Sequence, residues 1–113
     1  MALTIASVTG ADRVEANKRV KVRTLTFSNS YPTGGEVLTP ALCGLRVIYE
    51  VRPHGAAKNA AGTSALELAY DFVNQKLQAY RYDGASAGKA FLEEVTAAVD
   101  LSTFSVRCTI VGY

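Results

Sequence analysis

Tryptophan is absent from the 113 residues, histidine and methionine occur once each, proline three times and cysteine twice. A closed zinc site needs four protein ligands, or three and a water; His54, Cys43 and Cys108 are too few and too scattered to make one convincingly. Neither cysteine has CxxC spacing or a recognisable nucleophile motif, and no GxSxG elbow accompanies the histidine. Both cysteines are expected as free thiols used as small buried apolar residues. Long apolar runs are also missing, none approaching the roughly 20 residues of a spanning helix. The opening MALTIASVTG has no basic n-region and alternates like a mature strand rather than a signal peptide, which gives an expectation of synthesis and action in the cytoplasm. Charge of one sign is scarce as well. The formal net charge of +2 is too weak a field for an electrostatic nucleic-acid binder, so neither nucleic acid nor membrane is expected as a partner.

What is present is a 49% hydrophobic, 19% charged chain of a size that buries one core without metal or disulfide staples, and a single domain over 1–113 is expected. The dominant pattern is period two. Leu3, Ile5 and Ser7 alternate with Thr4, Ala6 and Val8; residues 19–28 are rich in Val, Thr, Leu and Phe. Residues 45–53 place Leu45, Val47, Tyr49 and Val51 on one face until Pro53 stops the strand. Leu66, Leu68, Tyr70 and Phe72 make another row, and Asn74-Gln75 reads as a tight hairpin connection to 76–82, where Leu77 and Ala79 point inward unless the register is reversed. DGASAG at 83–88 is a turn. FLEEVTAAV from Phe91 fits both strand and helix spacing, and its all-β surroundings favour strand. Phe104, Val106, Cys108 and Ile110 form the last apolar row.

These segments predict an all-β fold, an antiparallel β-sandwich or partly open barrel of about six to seven strands. One short helical turn is expected at TPALCG, with Thr39 capping, Pro40 at the first position and Gly44 as left-handed exit. The segment RPHGAAKNAAGT at 52–63 reads as a long loop, mobile or ordered by a partner. Arg19, Lys21 and Arg23 share one strand face, read as a solvated or edge face guarded by charge, or as a contact for an acidic partner.

The stretch YPTGGEVLTP at 31–40 raises a sharper question. A phosphate cradle needs a helix after its glycines and usually a lysine; here Glu36 and two apolar residues follow, and a carboxylate repels phosphate. The glycines are therefore expected to turn the chain with positive φ. Glu93-Glu94 reads as solvated charge, and the 83–88 turn lacks the carboxylates of a calcium loop. Tyr80-Arg81-Tyr82 has the aromatics of a base-stacking platform without the basic groove. No catalytic, metal or cofactor residue is assigned, and an enzyme is not expected.

With SYPTGGE at 30–36, LTPALCGL at 38–45, KLQAY at 76–80 and DLS at 100–102, the chain resembles a family of small structural proteins of tailed bacteriophages. The resemblance spans most of the chain, though none of its motifs marks a biochemical activity. It implies a virion component made in the host cytoplasm, a capsid decoration or cement protein whose partners are the major capsid protein of the phage head and copies of itself on the capsid surface. No family site is tied to particular motif positions. From exposed-looking loops, the candidates for capsid contact are the N-terminal segment, Tyr31, Thr33, Gly34 and Gly35 in the turn, and Arg52, His54, Lys58 and Asn59 in the later loop. The alternatives are a tail or neck component, or a ligand- or carbohydrate-binding module with Tyr49, Tyr80 or Tyr82 as its platform.

Overall fold

The computed structural model describes residues 3–8, 10–83 and 91–113, so the turn expected at 83–88 falls outside it beyond Asp83. The chain is all-β. Ten strands, β1 Thr4–Ser7, β2 Arg13–Glu15, β3 Lys18–Thr26, β4 Glu36–Val37, β5 Ile48–Pro53, β6 Ala57–Asn59, β7 Ala65–Asp71, β8 Lys76–Asp83, β9 Phe91–Glu94 and β10 Phe104–Gly112, form one antiparallel sheet. A single 3-10 turn, Pro40–Cys43, interrupts them; no α-helix occurs among the described residues, and the sheet does not close into a barrel.

The two longest strands, β3 and β10, carry the strongest alternation and pair along nearly their whole length, from Ser105 opposite Thr26 to Gly112 opposite Arg19. Across β3 from β10 lie β1 and β2; across β10 from β3 lie β5 and β6. The path continues β6-β7-β8-β4, with β9 also on β8. One core cluster draws on both stretches: Leu25, Val106, Cys108 and Ile110 from the β3–β10 part, Leu66, Leu77 and Ala79 from the β7–β8 part, and Tyr31, Leu38 and Leu101 from the connections. Full burial of each large aliphatic side chain here contributes roughly 1.5–3 kcal/mol.

All seven of the expected strands are present, and the three that alternation did not signal, β2, β4 and β6, are only two or three residues long. β6 lies inside the segment expected to be a loop, where Ala57 pairs with Leu66 and Lys58 with both Ala65 and Ser105. The face expected for 45–53 is half wrong. The register shifts between Val111 and Gly112, where Ile48 stands opposite Gly112 and Glu50 opposite Val111. Tyr49 is the extra residue of this bulge, and a bulge reverses the inward phase. Ile48, rather than Val47 or Tyr49, is therefore buried with Leu45, while Tyr49 stays 53% exposed.

The β7–β8 connection is four residues, 72–75, since Asp71 pairs with Lys76. Asp71 holds it by accepting the Val73 and Asn74 N–H groups and the Asn74 amide. Leu77 and Ala79 do point inward, both fully buried. At the 3-10 turn Pro40 and left-handed Gly44 take the expected roles, but the Thr39 side chain makes no cap hydrogen bond. The basic row on β3 is not an edge: Lys21 and Arg23 stand opposite Ile110 and Cys108 on the core side and are half-buried. Both meet Asp12, Arg23 at 2.7 Å.

Candidate functional site

Two places gather the residues singled out by sequence, and they differ in chemistry. The first is the turn after β3. Pro32 C=O accepts the Gly35 N–H, and both Gly34 and Gly35 have the positive φ expected of them, 87° and 107°. At Gly35 a second constraint applies, because a Cβ there would lie 2.6 Å from the Leu77 carbonyl oxygen of β8. That close approach is what lets Glu36 and Val37 pair with Leu77 and Lys76 as β4.

Tyr31 and Glu36 at the two ends of this turn are fully buried. Both oxygens of the Glu36 carboxylate lie within hydrogen-bond reach of the Ser28 N–H, at 3.2 and 3.1 Å, which ties the end of β4 to the chain leaving β3. The Tyr31 hydroxyl donates to Glu94 Oε2 at 2.8 Å and accepts the Ala79 N–H at 3.0 Å, so one side chain spans β8 and β9. Burial above all, and then the Glu94 carboxylate, hold this phenol well above its ordinary pKa despite the Ala79 N–H. Its backbone donates to Val99 C=O and accepts from Ala98 N–H. The segment is an internal clasp. Tyr31 and Gly35 thus offer no outward surface, whereas Thr33 is exposed and Gly34 half-exposed.

The second place is the outer face of the β3–β10 part, the side away from the core cluster. Residues opposite one another in a ladder share a face, and alternate positions on β10 put Ser105, Arg107 and Thr109 there. Lys58 is opposite Ser105, and Arg52 opposite Thr109. His54 N–H donates to Arg107 C=O at 2.8 Å, and its Nε2 lies 2.6 Å from Thr109 Oγ1. The structure therefore brings Arg52, His54 and Lys58 together, adds Arg107, and leaves all four exposed. Asn59 instead fastens the β6–β7 turn, its Oδ1 accepting the Thr63 and Ser64 N–H groups. Arg107 went unmarked in the sequence because its strand was read for its apolar row; the odd positions of 104–112 carried the signal.

The clasp and the outer face are built on different strands: β4 pairs with β8, while β5 and β6 pair with β10. The tyrosines named for a binding platform lie on two strands. Tyr49 sits on the β5 bulge and Tyr80 on β8, its hydroxyl 3.1 Å from Gln78 Oε1; the side chain of Tyr82 is not among those described.

Cys43 and Cys108 are free and buried. Burial raises the Cys43 thiol pKa against the pull of Arg23, and pushes that of Cys108 up to about 12. Such thiols are poor nucleophiles at neutral pH. Among the described residues no group of three or more His, Cys, Asp or Glu is placed to hold a metal, and no helix is long and apolar enough to cross a membrane. A concavity of about 380 Å³ is lined by Leu66, Arg81, Val95, Asp100 and Phe104 among others. Compared with known proteins, the chain matches no family model, no curated protein and no solved structure.

Proposed function

We propose that the chain is a non-enzymatic virion structural protein, a capsid decoration or cement protein that binds the assembled head of a tailed bacteriophage and ties neighbouring capsomers together. In this reading the continuous sheet folds over its core as a β-sandwich, a rigid body that presents surfaces to a lattice. The carrying observation is the exposure of large apolar side chains near the turns. Phe72 is 55% exposed, Val73 89%, Leu42 52% and Val47 44%, with Phe72 and Val47 bordering one shallow hollow of about 180 Å³. Exposed apolar groups of this size suit surfaces that neighbours cover. The resemblance of SYPTGGE and its companion motifs to phage structural proteins supports the same reading.

Several weak contacts presented together by a lattice add up to high avidity, and a site spanning neighbouring subunits does not exist on a free subunit. Purified protein should therefore co-sediment with heads that lack it and raise their disruption temperature, while binding the unassembled shell subunit poorly. No co-sedimentation at micromolar concentration, with an unchanged disruption temperature, would reject the decoration role.

A further inference from the structure

On the outer face of the β3–β10 part, Val20, Val22 and Thr109 are buried, while the exposed residues around Ser105 and Arg107 are polar and cationic and their charges are unevenly satisfied. Arg107 is at their centre. His54 stands beside it across the β5–β10 ladder, and because Lys58 faces Ser105 and Arg52 faces Thr109, Lys58 and Arg52 are its two diagonal neighbours, roughly 7–8 Å away. Thr24 is directly opposite on β3. Of these cations Arg52 is paired with Glu50, whereas neither Lys58 nor Arg107 forms an ion pair among the described residues. Two long, hydrated side chains, both exposed, are thus left beside a histidine and threonine hydroxyls.

Building on the virion reading, we propose that this face, centred on Arg107 and Lys58, is a docking surface in addition to the apolar turns, and that its partner is a carboxylate-bearing protein surface of the assembled head. Charge complementarity names the occupant. Arg107 offers a planar fork suited to a carboxylate, and Lys58 and the Thr24 hydroxyl supply further donors at sheet spacing. A polyphosphate fits less well. Nucleic-acid binding rests on many phosphate contacts, and here the free cations are few, with the Glu50 carboxylate beside Arg52 on the same face. An acidic protein surface needs only a few matched charges, which orient the encounter and set its register.

The test compares two double variants of equal charge change, Lys58→Glu with Arg107→Glu on the face, and Arg46→Glu with Arg81→Glu on exposed positions away from it. Each is titrated against heads lacking the protein, and separately against poly-glutamate and a duplex DNA at equal salt. The face variant should weaken head binding at least about tenfold, the charge of the wild-type complex making it salt-sensitive, and the control variant less than about threefold. The face variant alone should also lose poly-glutamate binding. Equal head binding by wild type and face variant overturns the docking surface and leaves the virion reading standing. Failure of the wild type on heads, with poly-glutamate binding still lost only in the face variant, removes the virion reading and keeps the acidic-partner surface. Tighter binding to DNA than to poly-glutamate, or equal poly-glutamate binding by both variants, overturns the acidic-partner surface itself.

Discussion

Segment 31–36 and segment 52–63 both contain glycine, proline and polar side chains, yet the first keeps Tyr31 and Glu36 dry while the second keeps its charged side chains wet. In the first, Tyr31 and Glu36 are fully buried and bonded to Glu94, Ala79 and Ser28. In the second, Arg52, His54 and Lys58 are exposed, and Asn59 fastens a turn at the surface. The difference teaches where the fold is inflexible. A buried donor or acceptor has no water to fall back on, so losing its partner costs the full desolvation penalty, while a wet one is re-solvated at little cost. The clasp is therefore where the fold is vulnerable, and the outer face is where side chains can change for the sake of a partner.

The largest expected effect separates glycines of the two segments. Gly35 has φ 107° and a backbone carbonyl 2.6 Å from where a Cβ would sit; G35A should cost about 3 kcal/mol, because strain and a clash with an immovable atom add. Gly62 also has positive φ, 71°, but nothing within 4 Å, and G62A should cost about 1 kcal/mol, the conformational term alone. Urea unfolding of both variants measures the gap. Equal costs would mean that the close approach to β8 carries no energy.

Side-chain deletions should repeat the contrast at lower amplitude. E36A leaves the buried Ser28 N–H without its acceptor and opens a cavity, for a loss of about 2 kcal/mol. N59A gives its turn donors to water and should cost about 0.5–1 kcal/mol. Y31F isolates the effect of one oxygen atom: the ring still fills its place, but the Ala79 N–H and the Glu94 carboxylate lose their shared partner, and about 1–2 kcal/mol should go. Chemical denaturation checks all three, and an N59A cost equal to that of E36A would erase the distinction between dry and wet segments.

Much of this was legible in the sequence, and the failures have physical causes. Alternation located β3, β7, β8 and β10 because each is long enough to show period two, and the positive φ of both turn glycines followed from GGE. Strands of two or three residues such as β4 and β6 show no period, since their existence is decided by the neighbours they meet. The inward phase of β5 is set by the Tyr49 bulge against Val111 and Gly112, a property of the pairing rather than of 45–53. Tyr31 looked like a surface residue because nothing nearby in sequence satisfies its hydroxyl; Glu94 and Ala79, far along the chain, do. Lys21 and Arg23 looked solvated for the same reason, their Asp12 partner being brought round by the turn between β1 and β2. On the outer face, Arg52, His54 and Lys58 were found through their loop-like context, and Arg107 was hidden inside a strand that reads as core.

The smallest expected effect belongs to that Asp12 pair, the exposed counterpart of the Glu36 clasp. Hydrogen bonding from Arg23 above all, helped by the Val22 N–H and the charges of Arg23 and Lys21, holds the Asp12 carboxyl below its ordinary pKa against the opposing effect of burial. A carboxyl with a lower pKa in the folded chain stabilises the fold above its unfolded pKa, about 3.9. That contribution is lost as pH falls through the folded value. With 38% of the side chain exposed, solvent screening limits it to about 0.5 kcal/mol. D12N should therefore lower unfolding free energy by that amount at pH 7 and by progressively less as pH falls through the folded value, where the native carboxyl becomes protonated. Urea titrations of wild type and D12N over this pH range make the comparison. A D12N cost as large as that of E36A at pH 7 would show that a solvent-exposed pair can matter as much as a dry one in this fold, and a cost that persists unchanged at low pH would assign the effect to the Val22 N–H contact rather than to charge.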